Sequence, residues 1–439
     1  MCSYTMSQSR AMRRCAGVVM VGAAVCALGQ LKLEGAEPMT RDRALQYLLT
    51  EPGPPAHSEI FSPPMLAGFW IGSSLSYSRF LSKLPNDVEP HLVALTTNDR
   101  AAHVRCRGMI ALSMRSSEKG VRMAREWIRS ADRTQRYFGW WALRLCPTAD
   151  AIYAVVPPPE MVELYRTETC SYVRREIEGF FAQHKAGFAV EALCDIVLDT
   201  TYPASCRDSA ADCLGAIGDV RAIDALVQSH ASPLVIVPAL GELEDERGAE
   251  YVIRHLWLPG APVALARIGG ERAVPALQSE LQRVARREVP EGVAPDEYLE
   301  NHAYELRLAL LLLQSDDIHG ELLDIAEDPA IAATHRELAL RQLERIGIGP
   351  VFPRFLDLYR SLMATKLGES CLRVVKRDPS VDATNAMKEH FAVLRGIRTA
   401  GGCERSGLVG KSLLFAVLGV EVALHERIGN DVFALDKQP

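Results

Sequence analysis

Three short runs in this chain of 439 residues carry residue types that could do chemistry, and each stops short of a working set. Gly407-Leu-Val-Gly410-Lys411-Ser412 has the glycine, lysine and hydroxyl that cradle nucleotide phosphates. Such a loop needs another glycine at position 405, where Arg405 stands, and a strand ahead of it, which Gly401-Gly-Cys-Glu404 does not offer. His425-Glu426 opens like the helix of a zinc protease, but Gly429 occupies the place of the second histidine. Glu242-Leu-Glu-Asp-Glu246 is acidic, yet a calcium loop needs more oxygen ligands at fixed spacing, so this run is read as a solvated turn. The chain has no Gly-x-Ser-x-Gly elbow and no Cys-x-x-Cys pair. The expectation is a non-catalytic protein with no cofactor, no metal and no catalytic residue.

The elements that would position any site are announced by a repeat. Cys213-Leu-Gly-Ala-Ile-Gly-Asp-Val-Arg-Ala-Ile-Asp-Ala-Leu226 recurs as Ala239-Leu-Gly-Glu-Leu-Glu-Asp-Glu-Arg-Gly-Ala-Glu-Tyr-Val252 and as Ala264-Leu-Ala-Arg-Ile-Gly-Gly-Glu-Arg-Ala-Val-Pro-Ala-Leu277. With Leu214, Leu240 and Leu265 as anchors, an apolar residue follows three positions later at Ile217, Leu243 and Ile268. Further apolar pairs follow at Ile223 and Leu226, Ala249 and Val252, Val274 and Leu277. Spacing of i, i+3 on both sides of a short break is the buried stripe of two amphipathic helices. In the break, Gly218 can take the left-handed conformation that ends a helix, and Asp219 can cap the next one. A hairpin this small cannot cover its own apolar face and must stack on copies of itself.

The pattern resembles the HEAT-like repeats of the bilin-lyase type, Ala-Leu-Gly-x-Ile-Gly-Asp-x-Arg-Ala-x-x-x-Leu. The resemblance implies an all-α fold, a right-handed alpha-alpha superhelix or HEAT-like solenoid. It is nearly silent on function, because such repeats serve enzymes, scaffolds and receptors. Pushed outward, the register adds anchors at Leu112, Leu143, Phe181, Leu310, Leu343 and Leu372, giving roughly nine helical hairpins. Arginine stands seven positions before five anchors, at Arg105, Arg136, Arg174, Arg207 and Arg336. Each is expected to pair with an acid of a neighbouring repeat. Residues 286–295 lengthen one repeat and are read as an inserted loop.

Arg13-Arg14 precedes a short apolar run, Cys15 to Gly29, that ends in the small-x-small site Ala27-Leu28-Gly29. Residues 1–36 are therefore read as a signal peptide and spacer, with cleavage near Gly29 and export to the periplasm or the cell exterior; an uncleaved anchor is the alternative. Residues 37–87 form a Pro/Gly-rich N-terminal segment and cap, 88–397 the repeat solenoid, and 398–439 a C-terminal cap segment. The apolar run Leu413 to Leu424 is short for a membrane helix. Of the 11 cysteines, Cys2, Cys15 and Cys26 fall in the leader. Cys170 and Cys206 open successive first helices and are the pair to test for a disulfide. Cys213 and Cys371, beside anchors, are read as small core residues.

Hydrophobic residues make up 48% and charged residues 24%, ordinary for a globular protein. The net charge of −6 weighs against a nucleic-acid partner, which calls for a basic face. In stacked hairpins the outward positions of the second helices form a binding face, here Asp224 and Gln228, then Glu250, Arg254 and Trp257, then Gln278 and Gln282. Mixed charges, amides and one large aromatic suit a protein or peptide ligand. Tyr137 and Trp141, four apart on one helix face, would be a stacking platform if exposed. The reading is an exported non-catalytic HEAT-like scaffold; the rivals are a bilin-lyase-like enzyme or chromophore carrier and a HEAT-like nucleic-acid enzyme. Leu240→Asp is expected to unfold the central repeats, because an unpaired buried carboxylate costs several kcal/mol. An unchanged melting temperature would overturn the register.

Overall fold

A computed structural model describes residues 41–50, 86–96, 102–288, 295–362, 365–376, 382–383 and 385–390. The leader, residues 51–85 of the Pro/Gly-rich segment, the 289–294 part of the inserted loop, the Gly-Lys-Ser run and the C-terminal apolar run lie outside these residues.

Helix α1 spans Arg41–Thr50, and a 3-10 turn at Asn86–Val88 leads into α2, Glu89–Leu95. Thereafter first and second helices alternate as the repeat requires. The pairs are α3 Ala102–Ser113 with α4 Glu118–Ile128, and α5 Arg133–Arg144 with α6 Ala149–Tyr153 and α7 Pro158–Thr167. Next come α8 Ser171–Gln183 with α9 Val190–Leu198, α10 Ala204–Ile217 with α11 Ile223–Gln228, and α12 Pro233–Leu243 with α13 Ala249–Arg254. Then follow α14 Ala261–Ile268 with α15 Ala273–Ala285, and after them in chain order α16 Pro295–Gln314, α17 Ile318–Glu327, α18 Ala333–Ile346, α19 Phe352–Leu362 and α20 Lys366–Val375. All regular structure in the described residues is helical. Pro157-Pro-Pro159 splits the second helix of one pair into α6 and α7, because a proline ring supplies no N–H inside a helix yet suits its first turn.

The chain divides into two compact units, residues 92–318 and residues 1–91 with 319–439. Within 92–318, the first helices α3, α5, α8, α10, α12, α14 and α16 pack on one another in sequence. The second helices form the other layer; α9, for example, lies on α10 and α11. The buried stripe falls where the register places it: Leu112, Leu143, Phe181, Leu214, Leu240 and Leu265 are buried, as is the thiol of Cys213. Leu310 departs from the expected register. It is only half-buried, and the core position of α16 is taken by Ala309 with Leu306 and Leu308. In the other unit, Leu343 and Leu372 are buried in α18 and α20, which pack together, and Cys371 is buried beside them. There Arg354 bridges Asp324 and Glu327, and the Tyr359 hydroxyl meets His390 Nδ1 at 2.5 Å in the interior.

The Ala-Leu-Gly run of the repeat is explained by how close consecutive first helices come. A methyl group added at Gly215 would stand 2.6 Å from the Cα of Ala239, and one at Gly241 would stand 2.7 Å from the Cβ of Ala264. The glycine after one anchor thus receives the alanine before the next. Gly218 has a different reason: its φ is +82° and its surroundings are open. In the second copy Glu244 fills that role at φ +53°, a conformation less comfortable for a side-chain-bearing residue.

Leucine at either glycine separates these two causes. Gly215→Leu is expected to cost about 3 kcal/mol, because the clash is with backbone. Gly218→Leu is expected to cost about 1–2 kcal/mol, the left-handed penalty alone. Chemical denaturation of the full chain reads both, and equal losses would show that Gly215 does not set the crossing.

Candidate functional site

The second helices are oriented by the breaks that precede them. Asp219 caps its break by accepting the Arg221 amide at 3.0 Å and also holds the Arg221 guanidinium at 2.6 Å. That guanidinium donates to the Gly187 carbonyl of the preceding break at 2.8 Å. One repeat on, Asp245 accepts the Arg247 amide at 3.0 Å, and Arg247 donates to the Val220 carbonyl at 3.1 Å. Hydrogen bonds from these arginines hold the carboxyls of Asp219 and Asp245 below their ordinary values. The third copy lacks the aspartate, and Arg272 instead reaches Glu250 at 2.5 Å. Each break therefore grips the repeat before it, which is the physical content of the Asp-x-Arg motif.

All seven residues of the expected binding face are exposed: Asp224 and Gln228 on α11, Glu250 and Arg254 on α13, Trp257 in the turn after α13, and Gln278 and Gln282 on α15. They differ in how far they are already engaged. Glu250 is paired with Arg272, and Asp224 lies 3.8 Å from Arg247. Arg254 lies over the Tyr251 ring at 5.6 Å and donates to the Glu250 carbonyl at 3.4 Å. The turn carrying Trp257 is held to α16 at two points. The Tyr298 hydroxyl donates to the Trp257 carbonyl at 3.1 Å, and the Gly260 amide donates to Glu305 at 2.7 Å. Trp257 is 38% exposed, an aromatic residue presented from a fixed backbone. Burial raises the Glu305 carboxyl above its usual range, against the lowering effect of the Gly260 amide.

Tyr137 and Trp141 are not a platform. Both are buried, and they pack edge-on against Phe138 in the core. Other large side chains reach the surface instead: Tyr172 in the first turn of α8, Leu198 at the end of α9 and Leu234 in the first turn of α12. With Trp257, these stand at connections between a second helix and the next first helix. A large apolar residue at a helix end, off the i, i+3 stripe, was the signal available in the sequence.

Four of the arginines seven positions before the anchors lie near the same connections; one pairs with an acid as expected, and three bind carbonyls instead. Arg136 does pair, placing two nitrogens 2.8 and 3.0 Å from the buried Glu168, and it also donates to the carbonyls of Ser130 and Ala131. Arg174 donates to the Glu168 carbonyl, Arg207 to the carbonyls of Tyr202 and His230, and Arg336 to the Ala326 carbonyl. The turn before each first helix leaves carbonyls that the helices do not satisfy, and a guanidinium supplies up to five donors to them. Cys170, the N-cap of α8, and Cys206, in the first turn of α10, are half-buried free thiols. Of the acidic run, Glu242 pairs with Arg267 at 2.5 Å and Glu246 packs against Gly270. Among the described residues no group of His, Cys, Asp and Glu is placed to hold a metal ion, and no helix is long and apolar enough to cross a membrane.

Removing the Arg136 guanidinium leaves Glu168 buried without its cation. Arg136→Leu is expected to cost about 3 kcal/mol, and Glu168→Gln in the same chain should return much of that loss. Urea midpoints of the single and double variants test the pair; strictly additive losses would mean that it contributes no coupling.

Residues 207–229, which run from α10 through the break to the end of α11, match the family described as PBS lyase HEAT-like repeat. No curated protein matches the chain. The matched segment contains the Asp219–Arg221 break and the Gly215 crossing, whose geometry recurs in the neighbouring pairs. The chain is a HEAT-like repeat protein with an all-α fold of stacked helical pairs.

Proposed function

We propose that this protein is an exported, non-catalytic scaffold that binds a protein or peptide partner along the outward face of its second helices. The observation that carries the reading is Trp257, a partly exposed indole on a turn that Tyr298 and Glu305 hold in place. A large aromatic on a pre-formed backbone loses little entropy on binding, which is why such residues dominate the energy of protein interfaces. Gln228, Gln278 and Gln282 flank it on neighbouring helices with neutral donors and acceptors. Asp224 and Glu250, by contrast, already face arginines of the breaks and serve the array before they serve a partner. The face is thus read as largely uncharged toward its ligand. Export rests on the charged and apolar runs of residues 13–29.

The name of the matched family favours a second reading, a bilin-lyase-like enzyme or chromophore carrier. Native mass spectrometry and a visible spectrum of the protein isolated from its own source separate the two. A chain beginning near Gln30 with a bound protein or peptide supports the scaffold. Visible absorbance from a bound tetrapyrrole, on an unprocessed chain, supports the second reading.

Once the partner is in hand, Trp257→Ala is expected to leave the melting temperature almost unchanged and to weaken binding by about tenfold or more. Raising the salt from about 0.05 to 0.5 M should change the affinity little, since few free charges take part. A stability loss typical of a core deletion would make Trp257 a structural residue, and a steep salt dependence would move the interface to charged positions.

A further inference from the structure

The turn that carries Trp257 is backed by a column of side chains from α15 and α16. Tyr298, half-buried in the first turn of α16, donates to the Trp257 carbonyl at 3.1 Å. Its ring lies flat on His302, with centroids 5.0 Å apart and an interplanar angle of 20°. His302 is buried, and its Nε2 stands 3.5 Å from the buried Glu280 of α15, which Arg283 holds at 2.8 Å. Burial first, then Glu280 and Glu305 nearby, pushes the Tyr298 hydroxyl up to about 12, so it keeps its proton as a donor. One face of the phenol is thus fixed by an imidazole, next to a tryptophan whose backbone is fixed as well.

The charges of the column are spent within it, Glu280 on Arg283 and His302, and Glu305 on the Gly260 amide. Gln228 on α11 and Gln278 and Gln282 on α15 are exposed on the second helices to either side of α13. Indole and carboxamide N–H groups are donors without charge. Buried polar groups elsewhere are closed to a ligand. Glu178 of α8, for example, accepts the hydroxyls of Tyr165 and Ser209, and the Cys213 thiol donates to its carbonyl.

The spacing of the face selects the conformation of what lies across it. α13 packs on α15, and α11 packs on the turn that opens α13. Contacts offered by successive second helices therefore recur about every 8–10 Å. A polyproline II strand advances about 9 Å per turn of three residues and presents the same edge once per repeat. An α-helix returns after about 5.4 Å and a β-strand after about 6.8 Å, and neither keeps that step. The carbonyls of such a strand have no internal donor, and proline has no N–H to satisfy. We propose that the partner segment on this face is proline-rich and extended as polyproline II. It crosses α11, α13 and α15 with proline rings seated against Trp257 and Tyr298 and its carbonyls on the indole and glutamine N–H groups. This partner class rests on the reading of the face as the binding surface.

The test is fluorescence anisotropy of dye-labelled peptides of about twelve residues, or four turns of polyproline II, titrated with the full chain. Polyproline is expected to bind at least about tenfold more tightly than a glycine-serine peptide of equal length, and Trp257→Ala and Tyr298→Leu should each remove most of that advantage. Melting temperatures show which variants are folded, and Trp257→Ala, at the surface, keeps the test if Tyr298→Leu does not fold. No preference for polyproline, a preference that survives Trp257→Ala, or equal binding of an alanine-rich helical peptide overturns the proline-rich ligand. The native partner separates the two levels. If Trp257→Ala weakens it while polyproline is not preferred, the surface stands and the proline-rich ligand falls; if Trp257→Ala leaves its affinity unchanged, the surface itself falls.

Discussion

A two-helix unit must bury a face that it cannot cover alone, and the crossing of Gly215 with Ala239 is where successive first helices meet that demand at close range. The crossing fixes how near α10 and α12 lie, and Gly241 with Ala264 repeats it between α12 and α14. At such a separation the anchors Leu214, Leu240 and Leu265 are all buried where α10, α12 and α14 pack on one another. A side chain at either glycine would prise the layer apart, since its neighbour there is a backbone atom or the methyl group beside it. The small residues are therefore as much a condition of the hydrophobic core as the large ones.

Close stacking leaves polar groups to be satisfied, and the chain answers with arginine. At the breaks within pairs, Arg221 and Arg247 reach back one repeat to carbonyls, steadied by Asp219 and Asp245. At the connections between pairs, Arg174, Arg207 and Arg336 reach carbonyls that no helix supplies with a donor. Both edges of the array consume cationic side chains in this way. The consequence reaches the surface: acids that read as free in the sequence, such as Glu250, already face a guanidinium, and the neutral glutamines and Trp257 remain for a ligand.

Much of the fold was legible because its signals are local. The i, i+3 stripe, the glycine at a helix end and the aspartate after it each act within one turn or one break, and the three clear copies cross-check one another. Leu310 misled because Leu310-Leu-Leu-Leu313 offers four equivalent choices, and only the packing of α16 selects Ala309. Arg174, Arg207 and Arg336 misled in partner and not in place, since a carbonyl acceptor leaves no mark on a sequence while an acid does. Tyr137 and Trp141 show a similar limit: spacing puts two rings on one face, but whether that face meets solvent depends on a neighbouring repeat.

Glu178 was the least legible of all, because Arg174-Arg-Glu-Ile-Glu178 looks like the solvated side of a helix. In the fold, Ile177 and Glu178 are both buried, as are Glu176 and Arg174, so α8 is covered on more of its circumference than an amphipathic pattern implies. A helix so placed has to take polar groups into its surroundings, and they become stable only through partners from other repeats: Tyr165 from one side, Ser209 and Cys213 from the other. In a stack where each repeat touches only its neighbours, a disturbance at such a point stays local. It alters the relation of α8 to α10, and with it that of α9 to α11, while the anchors beyond keep their own contacts. A buried acid can thus be carried in the array without hazard to the whole, which a single undivided core would not permit on the same terms.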